Sequence, residues 1–406
     1  ATKPSPVAAG AADDDGSQQE WPTYVYAFGD STTDSGNSPV SDPKHNKVVL
    51  DLPYGLTWFH RGSGRRSDGR LILDYLCLQA FGYGATMELP KPHLLVVQDS
   101  ASSSSSSVQS AEPQSAPAFP ASSQNYAVAG ATAVDPETLD RELGLEASTP
   151  YSLDRQADWF EADAASWSDQ PGEIERVGTS LIFFGENGGN DLHFALRDRR
   201  PDDFIRTRLL PSVIAAMTAQ LDRILSVDLG PAPITHVVIQ GQFPIGCLPA
   251  YVQKASSEDQ ELDQLGCIAS VNAISDMQNG LIRSSVIPDI GAKHPDIAIV
   301  FLDSSAAYRH VLAHAAEFGF NQSLYDEPCY DTSNHTVCSD PSAYMSWDGV
   351  HLTDALHGAL THLFLHGLPD ASKSFSEPFP SFLTTLALKS TDVSSQGSSP
   401  AEANGS

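Results

Sequence analysis

Four short runs of apolar, β-branched and aromatic residues, each broken by a polar, glycine-bearing turn, constrain this chain more than any other feature. They cover residues 23–28, 125–128, 179–184 and 235–240. Runs this short and this continuously apolar read as strands buried on both faces. Helical spacing lies between them. Leu71, Tyr75 and Leu78 share one face of a helix expected over 71–81, and residues 151–160 begin an amphipathic helix. Ile205, Leu209, Val213, Met217, Leu221 and Ile224 mark a helix over 204–227, with a kink expected at Pro211. A helix over 258–287, a strand over 297–302 and a last helix over 353–366 complete the series. Strands alternating with helices predict an α/β fold whose parallel sheet is covered on both sides. Ligands of such sheets bind beyond the carboxyl ends of the strands. The polar turns after Phe28, Val128, Phe184 and Gln240 are therefore expected to meet at one site.

The remaining stretches set the boundaries. Residues 1–20 and 388–406 are small and polar and are expected to be disordered, and the serine-rich stretch 99–124 reads as a flexible insertion within a single domain over 21–370. No repeat is visible. The formal charge is −28, from 51 acidic and 23 basic residues, which argues against nucleic acid or an anionic membrane as partner. No apolar run reaches the roughly 18–20 residues that span a bilayer. The chain opens on Ala1 without a methionine, and a leader is expected to have been removed. Of five cysteines, Cys247, Cys267, Cys329 and Cys338 fall into two local pairs and Cys77 lies in a predicted helix. Two disulfides and one buried thiol fit an oxidising compartment; five reduced thiols in a cytosolic protein are the rival reading. Asn321, Asn334 and Asn404 head glycosylation triplets, weak support for secretion.

Ser31 sits where the first strand breaks, after Gly29 and Asp30, and reads as a nucleophile. Asp30 and Ser31 are natural caps for a helix or turn, and helix N-terminal N–H groups are expected close by. A serine nucleophile needs a base, an orienter and oxyanion donors. Asp348 and His351, three apart, supply orienter and base. The backbone N–H groups of Ser31 and Gly130 and the amide of Asn190 are natural donors. His310 with His314 and His362 with His366 share helical i,i+4 spacing, but a solvated helix face explains them better than a metal site. The chain lacks a Gly-x-Ser-x-Gly elbow, a P-loop, a dinucleotide fingerprint and zinc knuckles.

Gly29-Asp-Ser-x-x-Asp-x-Gly-Asn37, Gly130, Gly188-x-Asn-Asp191 and Asp348-x-x-His351 together resemble the four blocks of the SGNH hydrolases, specifically the plant GDSL esterase/lipases. Pro53-Tyr-Gly, Phe59-His-Arg, Ser67-Asp-Gly-Arg70, the stretch 125–133, Gly185-Glu-Asn-Gly-Gly-Asn-Asp and Pro244-Ile-Gly-Cys-Leu-Pro249 are similar to the branch with acetylajmalan and sinapine esterases and xylan deacetylases. The likeness covers roughly residues 22–368. It implies a three-layer α/β/α flavodoxin-like fold, a secreted protein without metal or organic cofactor, and the triad Ser31, His351 and Asp348; a monomer is expected. It also implies an oxyanion hole of Ser31, Gly130 and Asn190, with Cys247 paired to Cys267 and Cys329 to Cys338.

Three features depart from that pattern. Thr32 replaces a leucine, expected to alter packing behind the nucleophile. The stretch after Cys329 lacks a glycine-rich double-cysteine run, and a serine run fills 101–107. The expected activity is hydrolysis of acyl or acetyl esters, with cell-wall polysaccharides, secondary metabolites or lipids as substrates. Acyl transfer to an alcohol through the same residues is the alternative, and a binding protein that kept the fold is a third reading.

Overall fold

The computed structural model describes residues 22–79, 89–95, 123–168, 178–255, 260–369 and 372–377. The expected disordered ends, most of the serine-rich insertion and Asn404 lie outside these residues. A seven-stranded sheet runs in the order β2-β3-β1-β4-β5-β6-β9. Its strands are β1 (Tyr24–Phe28), β2 (Lys91–Pro92), β3 (Gln124–Asn125), β4 (Ser180–Phe184), β5 (Ile234–Gln240), β6 (Ala298–Leu302) and β9 (Ser376–Glu377). A separate two-stranded hairpin holds β7 (Tyr330–Asp331) and β8 (Thr336–Val337). All sheet pairings are parallel except that of β6 with β9. The central order β3-β1-β4-β5-β6 is that of flavodoxin-like sheets. The two short outer strands leave no hydrophobic run long enough to be read from sequence.

The strands are apolar throughout because both faces are covered. Tyr24, Tyr26 and Phe28 of β1 point into one core, with Ile182 and Phe184 of β4. Helices α2 (Leu153–Ser168) and α4 (Leu210–Leu225) close that side. Val25 and Ala27 point into the other core, under α1 (Ile72–Gln79), α6 (Ser304–Ala313) and α7 (Asp354–His366). The remaining labelled helices are α3 (Gly189–Arg197) and α5 (Ala269–Leu281). The arrangement is a three-layer α/β/α sandwich.

Several expected elements differ in detail. Of the stretch 125–128 only Asn125 belongs to a strand, β3; Tyr126 N and Val128 N still donate to Ala27 O and Gly29 O, but the Asn37 amide takes the carbonyls of Asn125 and Ala127, which ends the regular ladder. The helix expected from 258 begins at Ala269 instead. Asp263 accepts from the N–H groups of Leu265 and Cys267, folding the preceding segment into a turn tied by the Cys247–Cys267 disulfide. Pro211 follows a wide π-helical turn at Ile205–Leu209, and Pro288 likewise follows one at Ile282–Val286. Proline lacks the N–H of a regular ladder, and a wider turn just before it accommodates the missing bond within a continuing helix.

Candidate active site

Strand β1 delivers Ser31 to the carboxyl edge of the sheet. Gly29 follows Phe28 with φ +147°, and both its peptide groups pair with one buried side chain: Gln156 of α2 accepts from Gly29 N at 2.9 Å and donates to Gly29 O at 2.8 Å. Of the helix or turn that the capping residues predict at Ser31, the structure has the turn. The Asp30 carbonyl accepts from Thr33 N and Asp34 N, closing one isolated turn. Asp34 then diverts the chain by accepting from the N–H groups of Gly36, Asn37 and Ser38. Thr32, expected to affect packing, makes a polar contact instead, bonding Asp30 Oδ1 through its N–H (2.9 Å) and hydroxyl (3.0 Å).

The loop before α7 carries the partners. His351 Nε2 lies 2.9 Å from Ser31 Oγ, and its Nδ1 lies 2.8 Å from Asp348 Oδ2. Asp348 Oδ1 also accepts from the N–H groups of His351 and Val350. Burial pushes the Asp348 carboxyl up, but the His351 charge and these hydrogen bonds outweigh it and hold Asp348 well below the usual carboxylate range. Gly349 takes φ +95°, which turns the chain between the two side chains.

Gly130 and Asn190 face the same serine across the cleft. Among the described residues, the N–H groups of Ser31 and Gly130 have no protein acceptor. The Asn190 amide donates to Ala131 O at 2.9 Å and to Asp30 Oδ2 at 3.3 Å. Buried clips set these positions. Asp34 accepts from Ala129 N, Asn37 donates to the carbonyls of Asn125 and Ala127, and Asp191 accepts from the N–H groups of Ala133 and Val134. Asp34, Asn37 and Asp191 stood inside the motifs without a role; Gln156 carried no signal.

Acidic groups lie beneath the donors. Burial raises Asp30 to about 6 against the Thr32 hydrogen bonds and the His351 charge, and burial likewise raises Asp191 to about 6 against its backbone donors. Glu186, after β4, is pushed well up by burial and then by the Asp30 charge. It bonds Gln242 through one oxygen, while the other has no partner. Burial thus makes all three acids harder to ionise than an exposed carboxyl, Glu186 most of all, while Asp30 and Asp191 give up their protons above about 6 and keep their N–H donors as partners of the carboxylate.

The cleft over these groups measures about 730 Å³. Ser41, Asn46 and Arg66 line it from the segments after β1, and Phe243, Ile245 and Leu248 from the loop after β5. Its wall changes from polar to apolar between those loops. His310 of α6 and His314 just past its end stand ring to ring at 4.3 Å, with His314 Nδ1 2.9 Å from His310 O, and His362 and His366 of α7 stand 4.7 Å apart. Among the described residues no group of three or more His, Cys, Asp or Glu side chains could hold a metal, and no helix is long and apolar enough to cross a membrane. Disulfides join Cys247 to Cys267 and Cys329 to Cys338, and Cys77 is free and buried. Asn321 and Asn334 are exposed.

Comparison with known proteins adds an independent finding. A family model described as GDSL-like lipase/acylhydrolase matches residues 25–364. A GDSL esterase/lipase of Arabidopsis thaliana is 30% identical over 362 residues, covering 84% of this chain and 85% of the relative. Acetylajmalan esterase 2 of Rauvolfia serpentina is 29% identical over 367 residues, covering 86% and 90%. A second Arabidopsis GDSL esterase/lipase is 27% identical over 374 residues, covering 86% and 85%.

Proposed function

Because this chain belongs to the GDSL-like lipase/acylhydrolase family and is a carboxylic-ester hydrolase, we propose that it cleaves esters through an acyl-enzyme on Ser31. The contact line from Ser31 Oγ to His351 Nε2 (2.9 Å) and from His351 Nδ1 to Asp348 Oδ2 (2.8 Å) carries this reading. His351 takes the Ser31 proton as Oγ attacks the ester carbonyl, and Asp348 fixes the tautomer and offsets the imidazolium charge. The Ser31 and Gly130 N–H groups and the Asn190 amide receive the oxyanion, the longer Asn190–Asp30 contact yielding to it. His351 then returns the proton to the departing alcohol. Water, activated by the same imidazole, releases the acid and restores Ser31.

We take the substrate to be a compact acyl or acetyl ester of a hydroxyl-rich alcohol, of the cell-wall polysaccharide or secondary-metabolite type. The polar wall at Ser41, Asn46 and Arg66 supports such an alcohol, and a relative is named acetylajmalan esterase 2. Two disulfides and exposed acceptor asparagines support secretion, and a site drawn wholly from one chain supports a working monomer. The test is Ser31→Ala assayed on an aryl acetate, with acetylated polysaccharide and a long-chain ester alongside. Turnover should vanish while thermal unfolding stays near that of the parent protein; retained turnover overturns the assignment.

A further inference from the structure

Asp348 accepts a hydrogen bond from an element far from its own loop. The phenol of Tyr54 donates to Oδ2 at 2.9 Å, the same oxygen that faces His351 Nδ1 at 2.8 Å. Tyr54 is 3% exposed, and its ring meets Tyr330 edge-on at 5.8 Å and Trp347 at 6.2 Å. These rings, with Val49 and Cys329, form a small core separate from the two that cover the sheet. Cys329 N donates to Ser346 O and Tyr330 N to Trp347 O, so the same core is tied to the backbone leading into Asp348. The phenol is therefore held in one orientation, with the buried carboxylate as its acceptor. Burial first, and the Asp348 charge second, push its ionisation far above the usual tyrosine range, so it remains a donor wherever the enzyme works.

We propose that Tyr54 is a positioning residue of the esterase reaction. Its hydroxyl holds the Asp348 carboxylate against His351 and takes up part of the carboxylate's charge. This rests on the triad reading of Ser31, His351 and Asp348. Without the O–H, Oδ2 keeps its burial but loses a donor. The carboxylate is then free to swing within its pocket, and its charge falls more fully on the imidazolium. An imidazolium stabilised in this way gives up its proton less readily. The base form of His351 would then appear only at higher pH.

The test compares Tyr54→Phe with Tyr330→Phe. Both keep the rings of the small core, but the Tyr330 hydroxyl bonds His335 and not the triad. The charged and titratable groups facing the triad are otherwise untouched: His351 is influenced by Asp348 and Asp30, His357 by His351, and Tyr54 by Arg66 and Tyr330. For Tyr54→Phe we expect kcat to fall about 10- to 100-fold, the scale of one hydrogen bond to a charged group, with KM little changed. The acid limb of its pH–rate profile should move to higher pH. Tyr330→Phe should leave that limb in place. An unmoved limb with kcat within about twofold overturns the proposal, and equal kcat losses in both variants without a limb shift reduce Tyr54 to packing. Ser31→Ala separates the two readings: if it retains turnover the triad itself fails, and if it is inactive while Tyr54→Phe behaves as wild type, only the positioning role fails.

Discussion

Asn190 does two things with one amide. It ties the first turn of α3 to Ala131 O at 2.9 Å, and it holds a looser 3.3 Å contact to Asp30 that an oxyanion could replace. Asn190→Ala should therefore lower kcat by roughly 10²–10³ while KM moves little, the usual loss for one oxyanion donor. Steady-state kinetics on an aryl acetate checks this, and a change confined to KM would count against the donor role. At this scale, legibility depended on how far a residue's partners lie along the chain. Ser31, Gly130 and Asn190 stand in short polar stretches after strands, and Asp348 and His351 in a short motif three residues apart, so each is marked by its local sequence. Gln156 bonds a glycine 127 positions away and Tyr54 an aspartate 294 positions away. In sequence each is an ordinary helix or loop residue, because its role exists only once the sheet has brought the partner to it.

Elements were legible where one physical rule dominated. Continuous apolar runs marked β1, β4, β5 and β6 to within a residue or so at each end, since burial on both faces leaves no other composition. The hairpin β7–β8 was hidden, because its two-residue strands have no periodicity and its order comes from a disulfide and tertiary bonds. It braces the chain just before Asp348 through Cys329 N to Ser346 O at 3.0 Å and Tyr330 N to Trp347 O at 2.6 Å. Replacing Cys329 and Cys338 together by serine should cost on the order of 2–3 kcal/mol of unfolding free energy, from the closure entropy of a short loop. It should also lower kcat, because the segment leading to Asp348 loses its brace. Urea unfolding with parallel kinetics tests both parts. Full kcat in a destabilised variant would mean that the hairpin stabilises the fold without steadying the triad.

Over the whole molecule, charge and buried carboxyls act together on mild acidification, against the buried histidines. Burial, the first cause in each case, raises Asp30, Asp68 and Asp191 to about 6, and pushes Glu186 up as well. A carboxyl with a raised folded-state pKa binds its proton more tightly when folded. The stability it contributes is complete below the unfolded value near 4 and is lost as pH rises through about 6. Each two-unit shift is worth roughly 3 kcal/mol at most. His357 works the other way: burial lowers it to about 4, so its contribution is lost as pH falls from the ordinary imidazole value toward 4. Burial lowers His193, His310 and His366 too, but these are less completely buried than His357, and depressed carboxyls such as Asp348 lose their share only below the ordinary carboxylate range. The four raised carboxyls, with a formal charge of −28 at pH 7 whose repulsion acid relieves, leave a net gain above that range. The unfolding midpoint should therefore rise between pH 8 and pH 5. Half-molar salt should remove only the repulsive share, because buried groups are screened far less. Activity should run the opposite way, since His351 must be neutral to take the Ser31 proton. Thermal unfolding and kcat/KM measured over one buffer series test the pair. A midpoint that is flat in pH, or whose pH dependence disappears in salt, would mean that burial does not raise Asp30 and Asp191 in the folded protein. The oxyanion donors would then face the same negative charge at pH 5 as at pH 8.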